Sequence, residues 1–121
     1  MNLVAVGVNH TTADVELRER LAFSTQQAEA ALASLRDMPG VREAALLSTC
    51  NRTEIYCTAD DRCPERITQW LHANHDIERA DLDASLYSLM DDNAVAHTMR
   101  VASGLDSLVL GEPQILRFVI L

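Results

Sequence analysis

An α+β domain of the ferredoxin-like split βαβ type, with an antiparallel sheet and packed helices, is the fold class this sequence predicts. Three observations carry it. A short, β-branched apolar run opens the chain at residues 3–8. Apolar residues then recur at helical spacing between residues 28 and 35. Two strand-like runs, 44–49 and 53–58, follow with only a few residues between them, ahead of a second helical stretch and another strand. The resulting order is strand, helix, strand, strand, helix, strand.

Each element has a local reason. Residues 3–8 (LVAVGV) suit a buried strand, and Asn9 and His10 stand at its end. A helix begins near Ser24, because Ser24 and Gln27 have capping-box spacing and Ala28, Ala31, Leu32 and Leu35 share one face. Pro39 and Gly40 stop it. The residues between the runs 44–49 and 53–58, Cys50 and Arg52 among them, form a tight connection between neighbouring strands. Pro64 fits the first turn of a second helix whose apolar face carries Ile67, Trp70 and Leu71. Residues 86–90 read as a fourth strand. Asp91 or Asp92 then caps a third helix that turns Val95, Met99 and Ala102 inward, with His97 on a neighbouring face beside Val101 and Gly104. The acid-rich stretch 76–83 reads as a solvated helix end or loop.

Composition narrows the function classes. The 121 residues are one domain's length, enough to bury roughly two-thirds of the unfolded chain's surface without disulfides. No internal repeat or flexible linker divides them, so 1–121 is read as a single domain. Hydrophobic residues make up 48%, yet no apolar run approaches the roughly 20 residues of a membrane span. The N-terminal stretch has no signal-peptide pattern. Cys50, Cys57 and Cys63 form neither an even set nor a C-x-x-C pair, which suits a reducing, cytoplasmic setting. Eighteen acids against ten arginines, with no lysine, give a formal charge of −8. That excludes a broad phosphate-binding face of the kind that grips a nucleic acid along its length.

Chemistry, if present, starts at residues 48–54, Ser-Thr-Cys-Asn-Arg-Thr-Glu. A cysteine attacks carbonyls as the thiolate, and with an unperturbed pKa of about 8.5 it is mostly protonated at neutral pH. Arg52 and the backbone N–H groups of the turn are placed to favour the anion and to orient an anionic substrate. Cys57 and Cys63 have no such neighbour and read as small hydrophobes. His72 and His75 have helical ligand spacing, but zinc takes three or four ligands and none converges, so no metal site is predicted. His10 either borders the site or stabilises the turn after the first strand.

Two further stretches, 7–13 (GVNHTTA) and 97–116 (HTMRVASGLDSLVLGEPQIL), stand with the cysteine motif in a recognisable order and spacing. Together they resemble the N-terminal catalytic domain of the glutamyl-tRNA reductase family over about residues 1–117. The resemblance implies a ferredoxin-like catalytic domain, a Cys50 nucleophile and a histidine, His97, that matters for activity. It implies substrate contacts from Thr49, Cys50, Asn51, Arg52, Ser107, Glu112, Pro113 and Gln114, with Arg52 recognising the glutamyl group.

The implied reaction converts glutamyl-tRNA to glutamate 1-semialdehyde, through a cysteine thioester that NADPH reduces, in tetrapyrrole (porphyrin, haem) biosynthesis. NADPH serves the full-length family enzyme. The four glycines here, Gly7, Gly40, Gly104 and Gly111, are too scattered for a dinucleotide turn. The family's NADPH-binding and dimerisation domains are expected beyond Leu121, so this chain alone is expected not to reduce. Implied partners are glutamyl-tRNA, a glutamate-1-semialdehyde aminotransferase and, for the full-length enzyme, a second copy.

The chain departs from the family after Leu116, where residues 117–121 read RFVIL and Phe118 replaces a usual glutamine, and at Asp14, where proline is usual. A slow glutamyl-tRNA esterase, a non-catalytic binding fragment and an unrelated cysteine hydrolase are the alternatives.

Overall fold

Strand alternation decides how this chain builds its sheet. The computed structural model describes residues 2–59, 63–103 and 119–120. In chain order the elements are β1 (Asn2–Asn9), α1 (Val15–Leu21), α2 (Thr25–Arg36), β2 (Val41–Ser48), β3 (Arg52–Ala59), α3 (Cys63–Asn74), α4 (Arg79–Ser85), β4 (Tyr87–Met90), α5 (Asp91–Ala102) and β5 (Val119–Ile120). The sheet order is β4-β1-β3-β2-β5, and every neighbouring pair is antiparallel. Without the edge strand β5, this is the split βαβ order the sequence predicts.

Because side chains alternate along a strand, Val4, Val6 and Val8 of β1 join Leu46 and Ile55 on one face. There they meet Leu21, Leu32, Leu35, Ile67, Leu71 and Leu82 in a single apolar core. Each fully buried Leu or Ile contributes about 2 kcal/mol. The half-exposed Arg79–Asp83 pair, at 2.9 Å, contributes roughly 0.5 kcal/mol, so packing dominates. Ala5 and Tyr56 are register partners that face the other way. They pack with Leu47, Ala94 and Val101, and α5 covers that side.

Ser24 caps α2 as its spacing predicts: Gln27 N donates to Ser24 Oγ (3.2 Å) and Ser24 N to Gln27 Oε1 (3.0 Å). Gly40 completes the turn after α2 at φ 87°, a conformation that favours glycine. Two short helices go beyond the sequence reading. In α1 the Asp14 side chain accepts from Leu17 N (2.9 Å), so Asp14 is a helix cap. In α4, Leu82 is fully buried and Ile77 lies buried just before it, which anchors a stretch read as a solvated helix end or loop.

The third predicted helix, α5, differs twice. Neither Asp91 nor Asp92 caps it; Met90 holds the N-cap position without a side-chain bond, and Asp91 enters the helix at φ 52°. Its inward face is also rotated. Ala94, His97 and Val101 are buried, whereas Val95 is 41% and Met99 68% exposed, and Ala102 is exposed. The cause is a carboxylate under the helix: facing it with His97 outweighs burying three more apolar side chains, because an unpaired buried charge costs several kcal/mol. Among the described residues, no helix is long and apolar enough to cross a membrane.

Candidate active site

The turn between β2 and β3 presents Cys50 and is locked from within. Thr49 N donates to Arg52 O (2.8 Å), and Thr49 Oγ1 accepts from Asn51 N (3.1 Å) and Arg52 N (3.2 Å). Thr49 is buried, while Cys50 stands exposed with a free thiol. The turn is also tied to the junction of α1 and α2. Phe23 N donates to Ser48 Oγ (2.9 Å), Ser48 Oγ shares a hydrogen bond with Thr53 Oγ1 (3.2 Å), and Thr53 Oγ1 donates to Leu21 O (3.4 Å). The thiol therefore sits on a short loop with defined ends, as a positioned nucleophile requires.

Arg52 and Glu54 alternate onto the α5 face of β3, the face of Tyr56. Arg52 is completely buried, and its Nη1 donates to Glu54 Oε1 at 2.7 Å. The second Glu54 oxygen, Oε2, pairs with His97 Nε2 from α5. One buried carboxylate thus binds both the candidate glutamyl-binding arginine and the candidate histidine. Burial pushes the Glu54 carboxyl up, but hydrogen bonds from His97 and Arg52 and their charges outweigh it, and its pKa lies below the usual carboxylate value. Tyr87 packs edge-on against His97 (centroids 5.4 Å apart, 62°). Burial, and then the Glu54 charge, raise its phenol well above the ordinary range.

Gly7 makes room for this cluster. It is the register partner of Glu54, and a Cβ on it would lie 2.4 Å from Thr53 O and 2.8 Å from Glu54 Cγ. Two residues on, Asn9 pairs in register with Arg52. Asn9 Oδ1 accepts from Thr11 N (2.9 Å) and Thr11 Oγ1 (2.7 Å), while Asn9 N donates to Thr12 Oγ1 (3.0 Å). The motif at 7–13 is therefore a close strand crossing followed by an Asx turn. His10 takes no part in that turn's bonds, and its Nδ1 is enclosed without a partner.

On the α1 side of Cys50 lies a cleft of about 440 Å³, walled by Val15, Arg18, Glu19 and Phe23 and by the turn residues 48–51. Cys50 lies in the wall of this cleft, two residues before Arg52 in the chain. Ser107, Glu112, Pro113 and Gln114 lie outside the described residues, as does the Cys63 side chain. Cys57 is buried in the main core. His72 is exposed, whereas His75 Nδ1 donates to Leu71 O (3.1 Å) and its ring meets Phe23 edge-on. Among the described residues, no group of three potential metal ligands gathers. Sequence reading passed over Glu54, Gly7 and Arg18; the signal for Glu54 was an Arg-x-Glu alternation inside an otherwise buried strand.

Residues 6–119 match the family described as Glutamyl-tRNAGlu reductase, N-terminal domain. The chain is 71% identical over 116 residues to a glutamyl-tRNA reductase of Alcanivorax borkumensis, covering 96% of this chain and 28% of that protein. It is 53% identical over 116 residues to that of Marinobacter nauticus, covering 96% and 27%. The solved glutamyl-tRNA reductase from Methanopyrus kandleri matches with a TM-score of 0.68 at 31% identity, covering 95% of this chain and 25% of that one. The chain spans little more than a quarter of the length of these relatives.

Proposed function

The chain belongs to the family of glutamyl-tRNA reductase N-terminal domains, and from that premise we propose that it is the acyl-acceptor domain of such an enzyme, with Cys50 receiving glutamate from glutamyl-tRNA. The Cys50 sulfur bonds to the ester carbonyl carbon, the carbon–oxygen bond to the terminal ribose breaks, and that ribose hydroxyl leaves with a proton. The observation that carries this reading is the exposed Cys50 on a locked turn beside a buried Arg52 fixed by a carboxylate.

Arg52 orients the glutamyl carboxylate; its planar fork suits that group, and Glu54 restricts the directions in which it points. Thr49 Oγ1 already accepts two backbone N–H groups, so toward substrate it offers its own hydroxyl proton. His97 is a positioning residue: its Nε2 is engaged by Glu54, so it steadies the carboxylate that steadies Arg52. Asn51, Ser107, Glu112, Pro113 and Gln114 complete the proposed substrate contacts.

In the full-length enzyme the thioester is reduced with NADPH to glutamate 1-semialdehyde, a tetrapyrrole precursor that an aminotransferase consumes, in a cytoplasmic homodimer. The described glycines do not fit a dinucleotide cradle: Gly7 is pressed against Glu54 inside β1, and Gly40 closes the turn after α2. Pairing of β5 with β2, Ala45 opposite Ile120, supports treating 1–121 as one domain despite its atypical last residues.

The test is intact and peptide mass spectrometry of the chain mixed with glutamyl-tRNA, without NADPH and quenched in acid, with Cys50→Ser as control. A glutamyl adduct confined to Cys50 is the expected outcome. Absence of an adduct, with tRNA deacylation at the background rate, would sink the proposal.

A further inference from the structure

One cation at the Cys50 cleft has no task so far. Arg18 projects from α1 into the cleft that Cys50 and Asn51 also line. Its Nε is enclosed and has no hydrogen-bond partner, and its guanidinium forms no ion pair among the described residues. An enclosed donor without an acceptor costs about 1–3 kcal/mol, a cost removed when an anion arrives. A planar guanidinium fork suits two such anions, a carboxylate and a phosphate.

Placement decides between them. Arg52, on the α5 side of the turn, faces the proposed glutamyl carboxylate, whereas Arg18 lies on the α1 side. When a glutamyl ester presents its carbonyl to Cys50, the acyl group and the alcohol it leaves extend from that carbon in different directions. With the acyl group toward Arg52, the alcohol extends toward Arg18. In glutamyl-tRNA that alcohol is a ribose with a phosphodiester on its 5′ side. The cleft volume, about 440 Å³, falls in the range of roughly 300–1,000 Å³ usual for small-molecule sites. Glu19, exposed on the same wall, offers an acceptor for the ribose hydroxyl left free beside the ester.

We propose that the cleft between α1 and the 48–51 turn holds the 3′-terminal nucleotide of the tRNA, with Arg18 taking the phosphodiester 5′ to the terminal ribose. This rests on the reading of Cys50 as the acyl acceptor and adds to it the contact with the leaving group. It also fits a chain of net charge −8 without lysine: a single fork beside the thiol reads one phosphate, and no broad basic face is needed.

The test compares two donors on the purified chain, a glutamyl ester of the trinucleotide CCA and glutamyl ethyl ester, by the rate of Cys50 acylation. In Arg18→Gln the ratio of trinucleotide rate to ethyl-ester rate falls about tenfold, the loss expected for one charge-assisted contact. Arg18→Lys recovers part of it. With glutamyl-tRNA as donor, the slope of log rate against log salt becomes shallower by about 0.7, the value for one single-strand phosphate contact. An unchanged ratio in Arg18→Gln overturns the proposal, and a general loss of folding cannot mimic the result because it lowers both rates together.

A second arm needs no acyl transfer. Uncharged CCA should protect Cys50 from iodoacetamide, read at peptide level, and Arg18→Gln should need about tenfold more of it. Lack of protection in the unsubstituted chain overturns the nucleotide site. Protection without any acylation upholds that site and removes only the acyl-acceptor reading.

Discussion

Replacing Glu54 by Gln exchanges one carboxylate oxygen for an amide nitrogen in a fully enclosed polar cluster. Glu54 and Arg52 are fully buried and the His97 side chain is only 7% exposed, so solvent has little access to take over the lost charge. Breaking a buried ion pair by removing one partner costs about 3–5 kcal/mol. The amide oxygen of Gln keeps an acceptor for Arg52, which puts Glu54→Gln near the lower end, about 3 kcal/mol, and Glu54→Ala near the upper. Against a whole-domain stability of about 5–15 kcal/mol, either is readily measured by urea unfolding at pH 7.5. The sign of the pH effect is fixed as well. The folded pKa of Glu54 lies below its ordinary 4.5, so the stability it contributes is complete above that value and is lost as pH falls through the folded pKa. Glu54→Gln should flatten that acid limb. A loss under 1 kcal/mol with the limb unchanged would refute the view that a charged carboxylate holds Arg52 and His97 together.

Gly7→Ala drives a methyl into Thr53 O and Glu54; since a backbone carbonyl cannot move aside, it should cost about 3 kcal/mol in the same assay, and a loss under 1 kcal/mol would mean that the two strands are not so close. Met99→Gln, on the exposed face of α5, should stay within about 0.5 kcal/mol of the unsubstituted chain, whereas Ala94→Leu, against β1, should cost at least 1–3 kcal/mol; the reverse ranking would restore the inward face first read from the sequence. His75 has its pKa lowered by burial, partly offset by its bond to Leu71 O, so its contribution to stability is present above pH 6.5 and falls as the pH drops through the folded value. His75→Gln should remove that component from a pH series of melting temperatures, and an unaltered series would contradict the assignment.

The sheet was legible because its signals are local: a β-branched run for β1, and two apolar runs too close together to be anything but a hairpin. Ser24 and Gln27 likewise announce α2 within four residues. The short helices were not legible, since Val15–Leu21 and Arg79–Ser85 each bury one leucine and show no repeating stripe. On α5 two faces competed, and hydropathy chose Val95 and Met99 because it counts apolar atoms. The structure chose His97, because the deciding partner, Glu54, lies 43 residues away in sequence. Cys50 and Arg52 were proposed as site residues from their motif. Glu54 was in the same motif and passed unnoticed, since a buried carboxylate is recognised only once its partners are in view.

Trp70 makes the chain its own optical reporter. It is the only tryptophan, its indole N–H is bonded to Ser34 Oγ (2.9 Å), and its ring stacks on Phe23 at 5.9 Å. Phe23 in turn forms part of the cleft wall and holds Ser48 at the base of the Cys50 loop. Whatever enters that cleft presses on the ring against which the fluorophore rests, so occupancy should be readable from emission alone, with no dye or label. Titrating CCA while exciting the indole would give a concentration-dependent change in intensity, abolished by Phe23→Ala. A flat trace alongside measured binding would mean that the wall stays rigid and the light carries no message.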